Sequence, residues 1–545
     1  MRPPLPELRD SLESAVAALG ADPAVVDLEL ARTRNPVFGD YQSSVAMKLA
    51  RTLRRAPPQI AAELAAQVRT EPADVEAAGA YLNFRLREGW LRRLVGDVAG
   101  AEAFGASRLG AGERLQVEFV SVNPTGPLHI GHGRGAILGD TLSRLLEFTG
   151  HDVQREYYVN DSNTQARKFG ASVLARLHDQ EPPEGGYSGD YVRELAEMAA
   201  HDMPGVRGLP QAEAEPALRH YAIERMVERL RATLERLGVR FDEWFWESEV
   251  WATGLSQRAI DRLRESGQLV ERDGALWFAP MVSGWEAEDE ERVVIRSTGE
   301  PTYFASDLGY LLSRFEARGF RRVIEVWGSD HHGYVPRMKA AAAALGFASD
   351  RLVVILNQLV SLKAGKMSKR EGRFVTLDEL IDLAGRDAVR YFYLLRSPES
   401  MMEFDLDLAR SRANENPVYY AQYAHARLAG VERTAAESHA ELPEFPNLDL
   451  LGSAEELALA RQIAFWPETV ETAARLLEPH RLPYYVHDLA DAVHGFYHAG
   501  NQFPELRVVV ADPDLSRARL ELCRAAANTL RTALTLLGVS APDRM

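Results

Sequence analysis

The sequence has a single cysteine, Cys523. One thiol makes no intramolecular disulfide and no cysteine-based zinc site. It lies in the amphipathic stretch LELCRAAANTLRTALTLLG, where a buried core position is the expectation. No apolar run approaches membrane-spanning length. The opening MRPPLPELRDSLESAVAALG is the start of an amphipathic helix with acidic residues rather than a secretory signal, so a cytoplasmic protein is expected. An excess of basic charge is also missing. Lys plus Arg is 63 and Asp plus Glu is 79, a net charge of -16. Such a chain is no generic binder of nucleic acid through bulk charge. Any RNA it binds must be held through local basic patches and shape. Charge alone favours a metabolic enzyme. There is no internal repeat and no low-complexity tract.

What is present reads as ordinary globular protein: 46% hydrophobic and 26% charged residues. At 545 residues the chain exceeds one hydrophobic core, and two to four domains are expected. Residues 1–107 read as a small α/β module. Helical spacing runs through GDYQSSVAMKLARTLRRAPPQIAAELAAQV, a strand-like AGAYLNFRL follows, and the Gly-rich FGASRLGAGE closes it. A second domain, 108–375, opens on the apolar strand LQVEFVSV at 115–122. A Gly/Pro-rich turn, the helix ILGDTLSRLLEFTG and the strand DVQREYYVND come next. With the later strands RRVIEVWG (321–328) and RLVVILNQLV (351–360), this order predicts an α/β fold: a doubly wound parallel-sheet (Rossmann-like) domain. The helix-rich stretch of about 162–295 reads as an insertion within it. From Thr376 the chain turns helical. Thr376 and Glu379 have capping-box spacing, and helical patterns continue to Leu537, interrupted by ELPEFPNLDL. Residues 376–545 are therefore expected to form an all-α domain.

Two segments carry chemistry. In SVNPTGPLHIGHGRGAILGD a strand ends, two prolines stiffen the turn, and His129-Ile130-Gly131-His132 enters a helix. Backbone N–H groups and the positive helix end favour an anion there. Gly131, Gly133 and Gly135 let a phosphate or an adenine ring approach the backbone. His129 and His132, three apart, can donate hydrogen bonds to a triphosphate as it becomes a pentavalent transition state. The competing reading, a histidine pair that only caps the helix, is weakened by the Pro-Thr-Gly-Pro-Leu preceding it at a strand end. The second segment is Lys366-Met367-Ser368-Lys369 in AGKMSKREGR. Two lysines and a serine suit clamping of β- and γ-phosphates. A solvated charge run is the alternative. Its place a few residues after a strongly apolar strand is where open α/β sheets put ligands.

His129–His132 with Lys366–Lys369, in that order and about a domain apart, resembles the signature pair of class I aminoacyl-tRNA synthetases, and the surrounding residues most resemble arginyl-tRNA synthetases. The resemblance implies a doubly wound ATP-binding domain that joins an amino acid to AMP and then moves it to tRNA. An arginine pocket needs carboxylates for the guanidinium and acceptors for the α-amino group. The resemblance places Glu118, Tyr303 and Asp307 at the guanidinium. It places Asn123 and His129 near the α-amino and carboxylate groups. Tyr303 and Asp307, four apart in PTYFASDLGY, share a face if that segment starts a helix. Taken singly, a helix-start carboxylate and a core tyrosine would explain them as well.

Further stretches resemble the same family. YYVND (157–161) matches its second sheet strand, and GRDAVRYFYL (385–394) the start of its anticodon-binding domain. NPVYYAQYAHARL (416–428), with Tyr420 and Tyr423, matches a segment facing the tRNA. AGAYLNFRL (78–86) matches the N-terminal module, where Tyr81 and Asn83 would meet the tRNA elbow. An aromatic and an amide together suit stacking on an unpaired base and reading of its edge. A half-buried structural strand is the alternative reading. One departure stands out: in GSDHHGY, His331 occupies the place where many family members carry a glutamine for the α-amino group. A metal reading of Asp330-His331-His332 fails, because adjacent histidines point apart and no further ligand is evident.

The implied substrates are ATP with Mg²⁺, L-arginine and tRNA(Arg), with no protein-bound zinc, no membrane, and a monomeric chain in the cytoplasm. Rival readings are another class I synthetase or a related adenylating ligase. A catalytically silent paralogue that binds tRNA for regulation is a third. The acidic set of Glu118 and Asp307 argues against an apolar or thiol substrate, and the intact signatures argue against a silent paralogue.

Overall fold

The protein is described from a computed structural model over residues 3–33, 35–281, 292–363, 376–437 and 442–545. The chain forms two compact units. One comprises Met1–Ala106, Ala413–Leu476 and Arg481–Met545, the other Ser107–Arg412 with Leu477–His480.

The first unit begins with a four-stranded antiparallel sheet of β1 (Ala31–Arg32), β2 (Tyr41–Ser43), β3 (Ala73–Ala78) and β4 (Tyr81–Leu86), in the order β1-β2-β4-β3. A two-residue turn joins β3 to β4, with Gly79 at φ 62° supplying the left-handed conformation such a hairpin needs. Helices Pro4–Ala18, Val45–Leu53 and Pro57–Gln67 bury Leu8, Leu12, Leu49, Ile60 and Leu64 with Leu82 and Phe84. The C-terminal part is all helical: Pro417–Glu437, Ala454–Ala464, Trp466–Leu476, Arg481–Gln502 and Pro513–Leu537. The termini, expected as separate domains, share this unit. The helix Glu88–Ala99 buries Trp90, Leu91, Leu94 and Val95 and packs on Pro513–Leu537 and Ala454–Ala464. Trp466 donates its indole N–H to the Phe104 carbonyl at 2.7 Å, and Tyr41 its hydroxyl to Glu468 at 2.9 Å. Local periodicity marks an apolar helix face but not its distant partner. Cys523 is buried, as expected, and burial pushes its thiol up to about 12.

The second unit is built on β5 (Arg114–Phe119), β6 (Asp152–Val159) and β7 (Glu243–Trp246). The antiparallel β8 (Leu269–Arg272), β9 (Ala275–Phe278) and β10 (Arg292–Ile295) follow. Then come β11 (Arg322–Gly328), β12 (Leu352–Asn357) and the parallel pair β13 (Val360–Leu362) and β14 (Met402–Phe404). The main sheet is parallel throughout, in the order β12-β11-β5-β6-β7. The chain leaves β5 toward β6 and β7, then returns to the other side for β11 and β12. The direction reverses between β5 and β11, and a crevice opens beyond their carboxyl ends. Helix Ile130–Phe148 follows β5. It comes so close to the strand at Gly139 that a Cβ there would lie 2.2 Å from the Phe119 ring.

Two expectations are adjusted. The stretch 162–295 is rich in helix (Thr164–Leu177, Asp190–Asp202, Gln211–Arg236), yet it also supplies β7, an edge strand of the main sheet. A four-residue strand between helices is too short to show a period of two. The all-helical region expected from 376 begins with helices Leu377–Ala384 and Arg386–Tyr393, which belong to the sheet unit, and the compact units divide after Arg412. The buried Arg390 there pairs with Asp140 at 2.5 Å on the helix after β5. The capping box at its start is present. Thr376 N–H donates to Glu379 at 2.8 Å, and Glu379 N–H to the Thr376 hydroxyl at 3.2 Å. Among the described residues, no helix is long and apolar enough to cross a membrane.

Candidate active site

A cleft of about 850 Å³ lies beyond the carboxyl ends of β5 and β11, within the size range of small-ligand sites. Its wall includes Val120, Ser121 and Asn123 after β5, Trp327 and Gly328 from β11, and Asn357 from β12. The turn leaving β5 is strained: Val120 has φ 69° and Ser121 φ 39°. Positive φ at a β-branched residue is an outlier that persists only when its surroundings impose it. Here β6 and the segment after it impose it. Tyr158 N–H donates to the Ser121 hydroxyl at 3.0 Å, Tyr157 hydroxyl to the Val122 carbonyl at 2.8 Å, and Asn160 to the Ser121 carbonyl at 3.3 Å.

His129 is the N-cap of helix Ile130–Phe148. Its Nδ1 accepts from Gly131 N–H at 3.1 Å, and His132 Nδ1 accepts from His129 N–H at 3.3 Å. The rings stack with centroids 3.4 Å apart. The capping role set against catalysis in the sequence is therefore real, and it leaves room for the other. Each Nδ1 accepts, so each neutral ring carries its proton on Nε2. Both rings are held toward the neutral form. Burial lowers His129, and burial together with its neighbour lowers His132 to about 3. Gly131, His132 and Gly135 line the cleft. Gly133 does not. A Cβ there would stand 2.6 Å from Leu377 Cδ1, so Gly133 admits a packing partner rather than a nucleotide. Lys366, Met367, Ser368 and Lys369 lie outside the described residues.

The opposite wall is acidic. Helix Tyr303–Leu312 puts Tyr303 and Asp307 into the cleft, on one face as their spacing predicts. Tyr303 hydroxyl donates to Thr164 Oγ1 at 2.7 Å and accepts from Thr164 N–H at 2.6 Å. Asp307 accepts from Tyr334 hydroxyl. Burial pushes the Asp307 carboxyl up to about 7. The Tyr334 bond and Arg314 pull it down, and Glu247 and Glu325 push it further up. Asn123 accepts from Asn163 Nδ2 at 2.7 Å, and Asn163 in turn caps the helix after it. His331 is exposed on the cleft wall with its ring 5.9 Å from Trp327.

Glu118 sits behind the cleft wall rather than on it. It is 7% exposed and is not among the residues lining the cleft. Glu325, Glu118 and Glu156 stand in register across β11, β5 and β6. Arg314 pairs with Glu118 at 3.1 Å and also with Glu325, while Arg318 and the Tyr310 hydroxyl meet Glu156. Glu118 is thus engaged by a guanidinium of the chain itself, and burial with Glu325 nearby raises it to about 8. Arg314 lies on the π-helical turn Ser313–Ala317, a local feature that hydrophobic periodicity does not reveal.

Glu247, on the cleft, and Tyr334, bonded to Asp307, are groups that sequence reasoning missed. Glu247 starts a short helix after β7 and lines the cleft. Its Oε2 is buried without a hydrogen-bond partner among the described residues. Burial raises its carboxyl, Asp161 adds to the rise, and Ser162 and Ser306 counter it. The available signal was a carboxylate just beyond a strand end, hidden because β7 went unrecognised.

The expected tRNA-facing residues lie in the other unit. Tyr81 is 40% exposed on β4, whereas Asn83 is 3% exposed and accepts from Gln42 at 2.8 Å, so its amide is a buried structural group. Val37 and Phe38, unremarked in the sequence, are exposed on the loop between β1 and β2. Tyr420 donates to Asp491 with its ring 4.3 Å from His494, and the Arg427 guanidinium covers the Tyr423 ring at 4.4 Å.

The chain is similar to known proteins. Residues 102–188 and 214–409 match the family model of tRNA synthetases class I (R), catalytic domain. A Mycobacterium tuberculosis methionyl-tRNA synthetase structure shares the fold alone, at TM-score 0.54 and 14% identity over 78% of this chain and 91% of that one. The catalytic-domain match, over more than half of the chain, makes this a class I tRNA synthetase. Residues 6–86 match the arginyl tRNA synthetase N terminal domain and 421–545 the DALR anticodon binding domain. The arginine–tRNA ligase of Desulforudis audaxviator (strain MP104C) is 44% identical over 561 residues, covering 99% of this chain and 97% of that protein. The Thermus thermophilus arginyl-tRNA synthetase structure aligns at TM-score 0.81 and 26% identity over 99% of each chain. The chain belongs to the arginyl-tRNA synthetase family.

Proposed function

We propose that this chain ligates arginine to tRNA(Arg) in two in-line steps. The arginine carboxylate attacks the α-phosphate of ATP, the bond to the β-phosphate breaks, and pyrophosphate leaves arginyl-adenylate behind. A terminal ribose hydroxyl of the tRNA then attacks the activated carbonyl and AMP departs. Neither step needs a protein nucleophile; positioning and charge stabilisation carry the catalysis.

The observation that carries the arginine reading is the pair Asp307 and Glu247. Two carboxylates on one cleft are raised by burial, and Glu247 keeps an oxygen without a partner among the described residues. A guanidinium supplies the missing charge and donors. Tyr303, Asn123 and His331 complete the amino-acid side. Glu118 contributes from behind through the buried glutamates rather than by direct contact. His129 and His132 donate to the phosphates from Nε2, with Gly131 and Gly135 admitting the nucleotide. Lys366 and Lys369, with Met367 and Ser368, neutralise the leaving pyrophosphate. Among the described residues no three His, Cys, Asp or Glu side chains are placed to hold a metal. Mg²⁺ comes with ATP, held by phosphate oxygens and water.

Tyr81 with residues 1–107, and Tyr420 and Tyr423 within the helices of 376–545, meet the tRNA elbow and anticodon. The chain works as a cytoplasmic monomer. The deciding experiment is ATP–pyrophosphate exchange with all twenty amino acids, with and without total tRNA. Exchange supported by arginine and dependent on tRNA is expected. Robust exchange with glutamate, cysteine or leucine overturns the substrate assignment, and no exchange with any amino acid would favour a silent tRNA-binding relative.

A further inference from the structure

The two histidines owe their ring positions to the backbone of residues 128–131, since each Nδ1 is tied to an N–H in that stretch. That stretch is gripped from outside the helix. His129 forms an antiparallel bridge with Thr376, and Leu377 N–H donates to the Leu128 carbonyl at 2.8 Å. Tyr393 hydroxyl donates to the Ile130 carbonyl at 2.8 Å. Leu377, fully buried, presses where Gly133 has no side chain. A Cβ on Gly133 would lie 2.6 Å from Leu377 Cδ1 and 3.5 Å from the Tyr393 ring. All these contacts fall within the first turn around the histidine pair. The helix as a whole is secured elsewhere, by Arg134 to the carbonyls of Ser397 and Ser400 at 2.8 Å each and by Arg390 to Asp140. The first-turn contacts thus act on the segment that carries the histidines, beside separate anchors further along the helix.

We propose that Leu377 and Tyr393 are positioning residues for the His129–His132 pair, and that Gly133 is the gap through which Leu377 reaches it. The proposal rests on the reading that the histidines act on the ATP phosphates. The physical case is one of tolerance. Ring donors aimed at a transition state lose their effect when displaced by a fraction of a bond length, whereas ground-state binding of arginine on the opposite wall is indifferent to them.

The test is arginine-dependent pyrophosphate exchange by the full-length chain with tRNA present, with kcat, the KM values for arginine and ATP, and a melting curve for each variant. Gly133→Ala should lower kcat about 10- to 100-fold with the arginine KM unchanged. Adding Leu377→Ala to it should restore most of that loss, because the new methyl then occupies the space of the removed Cδ1. A role in packing alone would instead lower the melting temperature and leave kcat intact in the folded enzyme. Tyr393→Phe removes only the hydroxyl donor and should lower kcat in the same direction; it decides the matter alone if Gly133→Ala does not fold. His132→Ala is the reference. If it loses kcat while Gly133→Ala and Tyr393→Phe keep theirs, the positioning role is overturned and the histidine reading stands. If His132→Ala also keeps wild-type kcat, the histidine reading falls first. A double variant slower than Gly133→Ala overturns the contact between Gly133 and Leu377 as the cause.

Discussion

Tyr334 donates its hydroxyl to Asp307, joining the turn after β11 to the helix Tyr303–Leu312 across the acidic wall of the cleft. The bond fixes the carboxylate's orientation without supplying a positive charge. Asp307→Asn keeps an acceptor for Tyr334 but sets an NH₂ against the substrate guanidinium. We expect arginine kcat/KM to fall by about 3 kcal/mol or more, as for breaking a buried pair. The KM for ATP should hold. The empty protein gains nothing from ionising this buried group, so its melting temperature should stay level or rise. Steady-state kinetics beside a melting curve check this. A melt lowered by many degrees with normal arginine kinetics would make Asp307 a structural carboxylate.

Glu247→Gln removes the second carboxylate while keeping its shape. A hydrogen bond to a charged group contributes about 1.5–3 kcal/mol. Arginine KM should rise by the corresponding factor, with ATP KM unmoved. Unchanged arginine KM would return Glu247 to a purely local role beside Ser162 and Ser306.

The fold class was legible because β5, β6, β11 and β12 carry β-branched and aromatic residues in the order strand, turn, helix, strand, and the Thr376–Glu379 box announces itself by spacing. β7 was not, being four residues long. Among site residues, Tyr303 and Asp307 were legible because four-residue spacing on a helix fixes a shared face. The partner of Glu118 was not legible because a strand position gives a face but not a partner. Arg314, which occupies that carboxylate, lies far along the chain on a π-turn. Gly133 was read as one of three equivalent glycines, yet helical geometry turns it away from Gly131 and Gly135 and toward Leu377.

The pH dependence of arginine use follows from Asp307. In the empty site burial holds its carboxyl up near about 7, and a guanidinium beside it lowers that value. Arginine binding therefore expels a proton below pH 7. Arginine kcat/KM should fall by about tenfold per pH unit on the acid side and level off above. Asp307→Asn should flatten that limb. The stability sign is opposite. A carboxyl raised from its ordinary value of 3.8 makes the folded state the better proton binder. Its contribution is present below pH 3.8 and lost as pH rises toward about 7, and saturating arginine should offset the loss. A kcat/KM that is flat in wild type between pH 5.5 and about 7.5 would contradict this.

Lys366→Ala should slow adenylate formation by about 3–4 kcal/mol, the usual loss when one group aimed at developing charge is removed. Binding of tRNA should change little. A single-turnover rate equal to wild type would leave Lys366 as a solvated surface charge.

Tyr81 and Asn83 share one side of β4 but not one environment, and their variants should separate. Tyr81 is 40% exposed, and a ring standing off a sheet can take a base stack. Tyr81→Ala should raise the KM for tRNA by the equivalent of about 1–3 kcal/mol. Arginine and ATP kinetics and the melting temperature should stay near wild type. Asn83 is buried beside Gln42, whose Nε2 it accepts at 2.8 Å. Asn83→Ala leaves that donor without its partner inside the sheet, a cost of about 1–3 kcal/mol in stability. Its effect should appear as a lower melting temperature, with tRNA KM following only as far as the module loosens. Measured at a temperature where both variants are folded, Tyr81→Ala alone should impair tRNA use. If Asn83→Ala impairs tRNA use equally while melting like wild type, the amide is reached by the RNA after all, and the buried pairing with Gln42 must open in the complex.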